Sequence, residues 1–269
     1  LRAGQYSEAE IERAGLAVRG ERGLYDRFRA RLMFPIMSPA GAVIGFSGRT
    51  LADDPAKYVN SPQTLLYDKS RALFGYDKAK GAIREADACV LVEGQMDLVL
   101  SHQAGVAHTV AVSGTALTEE HLRLIKRLTE RVVMAFDPDS AGLSASSRGI
   151  ELALSLGMEV SLVRLPEGKD PADLVKENPA AWHTLLGKAE HAVHFFLHAL
   201  QERVHDLREL GKQVEKKVLP YVSRVPSEID QARFVAEIAE ALKVPHAPVW
   251  NALKKISRSR ETRDDVAIS

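Results

Sequence analysis

Twice between Ala88 and Asp139 the chain runs through a short apolar stretch into carboxylates. ACVLV leads to Glu93 and then Asp97; RVVMAF leads to Asp137 and Asp139. Apolar runs of about five residues, separated by helical segments, read as strands buried on both faces of a parallel sheet. Ligands of open α/β sheets bind beyond the carboxyl ends of such strands. Four acids at two strand ends therefore propose a cation site.

The texture around these runs supports an α/β fold for residues 80–175. KAKGAIREAD is helical, DACVLV is a strand, QMDLVLSHQAG is a helix closed by Gly105, and HTVAVSG is the next strand. LTEEHLRLIKRLTE follows as an amphipathic helix with Thr118 at its cap. RVVMAF, a helix closed by Gly157, and EVSLVRLP complete the alternation, with Asp170 and Asp173 just beyond. Consecutive βαβ units of this length imply a parallel sheet.

The flanks read differently. Ser7 is placed to cap a short helix carrying Ile11, and the turn-rich RGERG follows. LMFPIM and AVIGFSGR form a hairpin over Ser38–Gly41, with Pro35 marking an edge strand or a bulge. Arg27, Arg29 and Arg31 alternate, so an extended strand would point all three to one face. Lys57, Tyr58, Asn60, Lys69 and Arg71 mix basic, aromatic and amide side chains in a Pro-containing loop, a combination suited to phosphate contact and base stacking. Residues 180–269 carry apolar helical stripes, with Ser227 and Pro248 at helix starts and ETRDDVAIS as a tail. His191, His194 and His198 share one helical face and are read as core-edge or exposed histidines rather than ligands.

The net charge of zero hides a segregation. Residues 19–80 carry 11 Lys/Arg against 6 Asp/Glu, and residues 81–180 carry 9 against 15. A basic segment ahead of an acidic one suits a groove where an anionic polymer meets a metal. The 269 residues are long enough for more than one core, and the start at Leu1 reads as a piece of a longer protein. With no 18-residue apolar run, no signal-peptide pattern and a single cysteine, Cys89, inside an apolar run, a reducing cytoplasmic setting without a membrane partner is expected.

If the strands ending at Val92 and Phe136 are neighbours, three or four carboxylates converge, and they repel unless a divalent cation neutralises them. Oxygen-only ligands select Mg²⁺ or Mn²⁺ over zinc, and no zinc-ribbon spacing is present. Mg²⁺ completes its shell with water and substrate phosphates, which suits in-line phosphoryl displacement.

The E-G-x-x-D and D-x-D pair on alternating β/α units resembles a Toprim domain, found in bacterial primases, topoisomerases and some nucleases. DRFRARLMFPI, GAVIGFSGRTL, KYVNSPQTLLYDKSRALFG, VLVEGQMD, AFDPDSAG and GKDPADLV, in this order, closely resemble the catalytic core of bacterial DnaG-type primases over roughly residues 20–200. The resemblance implies a Toprim-type parallel sheet with flanking helices (81–178), preceded by a partial mixed α+β basic subdomain (1–80) and followed by a helical bundle (179–258) and a tail or linker (259–269). It implies synthesis of short RNA primers on a single-stranded DNA template from ribonucleoside triphosphates, in the bacterial cytoplasm at the nucleoid. By motif position the catalytic residues are Glu93, Asp137 and Asp139, with Asp97, Asp170 and Asp173 completing the metal set. Triphosphate and template fall to Arg27, Arg29, Lys57, Asn60 and Lys69, with Tyr58 adjoining.

Two positions depart from the family pattern. Gln95 stands where a tyrosine is common, and Asp170-Pro171-Ala172-Asp173 replaces a D-P-D, leaving Asp173 as the substitute acid. The family's zinc-binding and helicase-binding modules have no counterpart in this sequence, so replicative-helicase contact belongs to a module outside it. A Toprim nuclease or topoisomerase is the alternative enzyme, although no segment reads as a topoisomerase's tyrosine-bearing DNA gate. A non-catalytic DNA-binding scaffold is disfavoured by retention of Glu93, Asp137 and Asp139.

Overall fold

The computed structural model describes residues 1–52, 55–136 and 140–268, the side chains of Arg2, 140–146 and 259–268 excepted. The chain opens with α1 (Glu8–Arg13), closed at its start by reciprocal bonds: Glu10 N–H donates to Ser7 Oγ, and Ser7 N–H donates to Glu10 Oε2 at 2.8 Å. Then β1 (Ala17–Gly20) and β2 (Gly23–Asp26) pair as a tight hairpin where only a turn was expected. Strands this short carry too few alternating residues for the pattern to register.

A three-stranded antiparallel sheet follows, in the order β3 (Arg31–Met37), β4 (Val43–Thr50), β5 (Tyr58–Asn60). Pro35 lies in the edge strand β3, and the register slips between Ile36 and Met37. Both outcomes follow from a residue with no N–H to give the ladder. The third strand, β5, falls inside the stretch read as loop.

The next elements are α2 (Tyr76–Ala86), β6 (Cys89–Val92), α3 (Gln95–Gln103), β7 (Thr109–Ala111), α4 (Glu119–Lys126), β8 (Arg131–Met134), α5 (Ser140–Ser155), β9 (Glu159–Leu162) and α6 (Pro171–Glu177). Gly75 starts α2 at φ +80, and a Cβ there would lie 2.4 Å from Leu98 Cδ1, so no other residue fits without displacing α3. The sheet order is β10-β9-β8-β6-β7, parallel from β9 to β7, with the two-residue β10 (Glu190–His191) added antiparallel at the edge. Alternation along the strands splits the core. Leu91, Val110, Met134 and Val160 pack with α2, α4, α5 and the carboxy-terminal helices; Val90, Val92 and Ala111 pack with Leu98, Leu174 and Trp182 and, from the small sheet, Ile36. Cys89 is a fully buried core residue.

The remaining helices are α7 (Pro179–Leu186), α8 (Ala192–Arg203), α9 (Leu207–Lys217), α10 (Leu219–Val222), α11 (Glu228–Leu242, capped by Ser227) and α12 (His246–Ile268). The helical stripe over 181–204 is interrupted after Gly187 to admit β10, and the backbone of 259–268, read as a tail, continues α12. His191 caps α8 and stacks on Phe234 at 4.7 Å; His194 meets Glu237 at 2.5 Å and His198 meets Glu190 at 2.7 Å. Those carboxylates arrive from α11 and β10, which sequence spacing along α8 could not foresee. Burial pushes His191 down to about 4, with the His194 charge adding to it and Asp230 opposing. Among the described residues no helix is long and apolar enough to cross a membrane.

Candidate active site

β6 and β8 are neighbours, in register Leu91 to Met134, and Ala135 N–H continues the ladder to Leu91 O at 3.0 Å. The chain leaves β6 for β7 on one side and returns past it to β8 on the other. The β6/β8 boundary is therefore the topological switch point, where open sheets bind ligands. Glu93 is exposed there. Asp137 and Asp139, expected to complete the site from β8, lie outside the described residues.

The E-G-x-x-D spacing has a local explanation. Gly94 N–H donates to Asp97 Oδ2 at 3.0 Å, folding the carboxylate of the first α3 turn back over the strand end. A Cβ at position 94 would sit 2.9 Å from that oxygen, so the motif needs glycine here for space. Asp97 Oδ1 accepts the Ala172 N–H at 3.1 Å, which ties α3 to the start of α6. Asp170 caps α6 by accepting the Asp173 N–H at 2.7 Å. Burial and the Asp170 charge push the Asp97 carboxyl up to about 6; the Ala172 and Gly94 N–H groups pull it down, and Glu93 adds a further upward push.

The departure at Ala172 now has a physical account. Its methyl is buried and its N–H serves Asp97, so position 172 contributes backbone. Asp173 points to the surface, where Oδ1 pairs with Lys176 Nζ at 3.2 Å and its side chain is 47% exposed. Among the described residues no three His, Cys, Asp or Glu side chains converge on one metal position. The donor chemistry nonetheless fits a hard cation: Glu93, Asp97 and Asp170 are oxygen-only, and their like charges reinforce one another at Asp97.

Facing the acids is the small sheet. Tyr58 on β5 pairs with Arg49 on β4, whose guanidinium stands over the Tyr58 ring at 5.9 Å. Burial raises the Tyr58 hydroxyl above its usual range; Arg49 opposes this, while Asp97 and Asp170 add to it. Basic strand and acidic edge therefore act on one hydroxyl. Arg49 was not singled out from the sequence; the signal available was its place at the end of the alternating AVIGFSGR strand.

The other basic candidates divide. Arg27, Arg29 and Arg31 do not share a strand face, because 27–30 is a turn with Ala30 at φ +50 between β2 and β3. Arg27 Nε donates to Asn60 O at 3.0 Å, Arg29 stacks over Tyr25 at 4.7 Å, and Arg31 donates to Ala56 O at 2.8 Å. Lys57 is exposed beside Tyr58. Asn60 Nδ2 reaches Ser113 O at 3.4 Å. The backbone around Lys69 is fastened to α4: His121 Nε2 meets Lys69 O at 3.0 Å, and Thr118 Oγ1 donates to Ser70 O at 2.6 Å.

A parallel sheet with carboxylates at its switch point, set against a basic antiparallel sheet, defines a Toprim-type core. Residues 1–80 match the family model described as DNA primase catalytic core, N-terminal domain, and residues 90–175 match the Toprim-like model. The DNA primase of Clostridium acetobutylicum is 34% identical over 252 residues, 92% of this chain and 42% of that protein. That of Synechococcus elongatus is 36% identical over 86% of this chain and 35% of its own length. The chain thus spans less than half the length of these relatives. Among solved structures, the DnaG primase catalytic domain bound to ssDNA aligns with a TM-score of 0.79 and 35% identity, covering 90% of this chain and 78% of that one. The RNA polymerase domain of Mycobacterium tuberculosis primase DnaG aligns at 0.77 and 33%, covering 89% and 79%. The chain belongs to the bacterial DnaG-type primase family, within its catalytic core. Toprim primases are generally divalent-metal dependent.

Proposed function

We propose that this chain carries the primer-synthesising centre of a DNA primase: templated joining of ribonucleoside triphosphates into short RNA on single-stranded DNA. The observation that carries the reading is the acidic edge of Glu93, Asp97 and Asp170 beside the β6/β8 switch point, with the Arg49–Tyr58 pair of β4 and β5 close by. An acidic edge and a cationic strand at one locus suit a substrate that brings phosphates to a metal.

Glu93, Asp137 and Asp139 are assigned to hold Mg²⁺ or Mn²⁺, with Asp97 and Asp170 around them, while Asp173 is turned to Lys176 at the surface and is not kept as a ligand; a set without sulfur or imidazole does not favour zinc. A divalent cation held there supplies charge neutralisation for in-line nucleotidyl transfer. Asp97 fixes the geometry by bonding both Gly94 and Ala172. Arg49, Lys57 and Lys69 are assigned to the triphosphate and template phosphates, and Arg29 to the template. Tyr58 offers a ring for stacking, while Arg27 braces β5 through Asn60.

The test is incubation with single-stranded template, labelled ribonucleotides and Mg²⁺ or Mn²⁺. Short RNA products that require the metal and disappear with Asp137→Ala are expected; template degradation without synthesis would make the protein a nuclease instead. Binding to single strands should weaken steeply with salt, because phosphate contacts release counterions.

A further inference from the structure

Gln95 is the residue between Glu93 and Asp97 that the acidic motif leaves without a role. It is a polar side chain only 3% exposed at the first turn of α3. Its Nε2 donates to Ser47 Oγ at 2.7 Å and to Ser113 Oγ at 2.5 Å, and both serines are themselves buried. Both amide N–H groups are thereby used, one on each side of the junction.

The two serines belong to different parts of the molecule. Ser47 lies on β4 opposite Asn60, two residues before Arg49, so the two side chains stand on the same face of the strand. Arg49 in turn pairs with Tyr58. Ser113 follows β7 in the left-handed region at φ +57, a conformation costly for a residue with a Cβ. Its N–H donates to Glu93 O at 3.0 Å, and its carbonyl accepts from Asn60 Nδ2 at 3.4 Å. One amide thus ties the loop after β7 to β4, and Asn60, which faces Ser47 across the β4–β5 pair, reaches the same Ser113 from β5.

We infer that Gln95 is a positioning residue for nucleotidyl transfer: its amide sets the separation of the Arg49–Tyr58 pair from the carboxylate strand end at Glu93. This rests on the primase reading above. Gln95 reaches the reaction through Ser47 and Ser113 rather than by touching substrate. A buried amide is an economical spacer because it has two donors on one planar group, and because burial makes both bonds costly to leave unmade. A phenol at this position has one O–H and could donate to one serine only, whereas the Gln95 amide donates to both.

The test compares Gln95→Leu, Gln95→Glu, Ser47→Ala and the Gln95→Leu/Ser47→Ala double variant in the primer-synthesis assay. Template affinity is measured separately by fluorescence anisotropy. Displacement of reacting groups by about 1 Å costs on the order of 10²-fold. Gln95→Leu is therefore expected to lower kcat by roughly 10- to 100-fold, with template Kd within about twofold of wild type. The double variant should be no slower than Gln95→Leu alone, because both remove the same bond. Gln95→Glu, which can accept from both serine hydroxyls, should recover part of the rate. Equal kcat in wild type and folded Gln95→Leu, or losses that multiply in the double variant, would overturn the assignment. Should Gln95→Leu not fold, Ser47→Ala decides alone: an unchanged kcat refutes the inference and a reduced one at unchanged Kd supports it. A wild-type protein that makes no primers would instead sink the primase reading, which keeps the two failures apart.

Discussion

Two polar clusters stand out in this molecule, and they are built on opposite principles. At the β6/β8 edge Asp97 is buried among charges of its own sign, Asp170 and Glu93, and its carboxyl is pushed up to about 6. At the cap and along the face of α8 the three histidines are each given something to hold: Phe234 under His191, Glu237 beside His194, Glu190 beside His198. The first arrangement has a surplus of one charge and stores repulsion that an external cation would relieve. The second is closed on itself and asks for nothing from outside. By composition alone a row of three histidines looks the better metal site. What separates the two is whether the protein has already satisfied the groups.

The largest expected effect tests the open cluster. Asp97→Ala removes the acceptor of both the Gly94 and the Ala172 N–H groups together with one acid. Primer synthesis should fall by on the order of 10²-fold, and stability by about 2 kcal/mol for the stranded donors. Single-turnover kinetics and chemical denaturation measure the two separately. A variant that keeps its rate would show that the acids at this edge are ordinary polar strand ends.

Next comes the closed cluster, tested through pH. Burial holds the His191 imidazole down at about 4, well below its ordinary 6.5. A depressed histidine leaves the unfolded chain binding more protons between those values, so stability is fully present above pH 6.5 and is lost as pH falls toward 4. The loss should be about 2 kcal/mol after allowance for partial exposure. His191→Asn, which keeps a side-chain acceptor for the Val193 N–H, should flatten the dependence in urea titrations run from pH 7 to pH 4. A slope that survives the substitution would move the effect elsewhere on the surface.

A smaller effect of opposite sign is expected from Asp170→Asn. Asparagine caps a helix as well as aspartate does, so the bond to Asp173 N–H is retained while one repulsive charge on Asp97 goes. In EDTA at pH 7 the variant should be more stable than wild type by about 1 kcal/mol, and added Mg²⁺ should raise its melting temperature less. A mutation that stabilises the metal-free protein while weakening its response to metal is what a site built on surplus charge predicts. Loss of stability in EDTA would mean that Asp170 serves the fold alone.

The sequence carried the parallel sheet because its strands are continuous apolar runs, and it carried the β6 side of the acidic edge because that strand ends at Glu93. It also carried the Ser7, Thr118 and Ser227 caps, where one side chain and its neighbours decide the local structure. It was silent wherever tertiary pairing decides. The β1–β2 hairpin and β5 are only three or four residues each, and β10 exists because β9 offers an open edge. Arg49, Ser47 and Ser113 owe their importance to what stands opposite them across the junction, which no spacing in one segment records. The turn at Ala30 defeated the alternation of arginines for the same reason.

The smallest expected effect is the sharpest test of the closed cluster. His198 and Glu190 meet at 2.7 Å with side chains 55% and 41% exposed. Water screens such a pair and two mobile side chains must be ordered to make it, so an exposed pair is worth about 0–1 kcal/mol. His198→Ala should therefore lower stability by about 0.5 kcal/mol. The primer-synthesis rate should stay within about twofold of wild type, since the pair lies at the β10 edge beyond β9 and β8 from β6. Neither wild type nor variant should take up a stoichiometric Zn²⁺ or Ni²⁺ ion at this face at micromolar metal, measured by equilibrium dialysis. A tenfold loss of rate, or a stoichiometric metal ion lost with the histidine, would erase the distinction between the two clusters, because the satisfied one would then be working as a site.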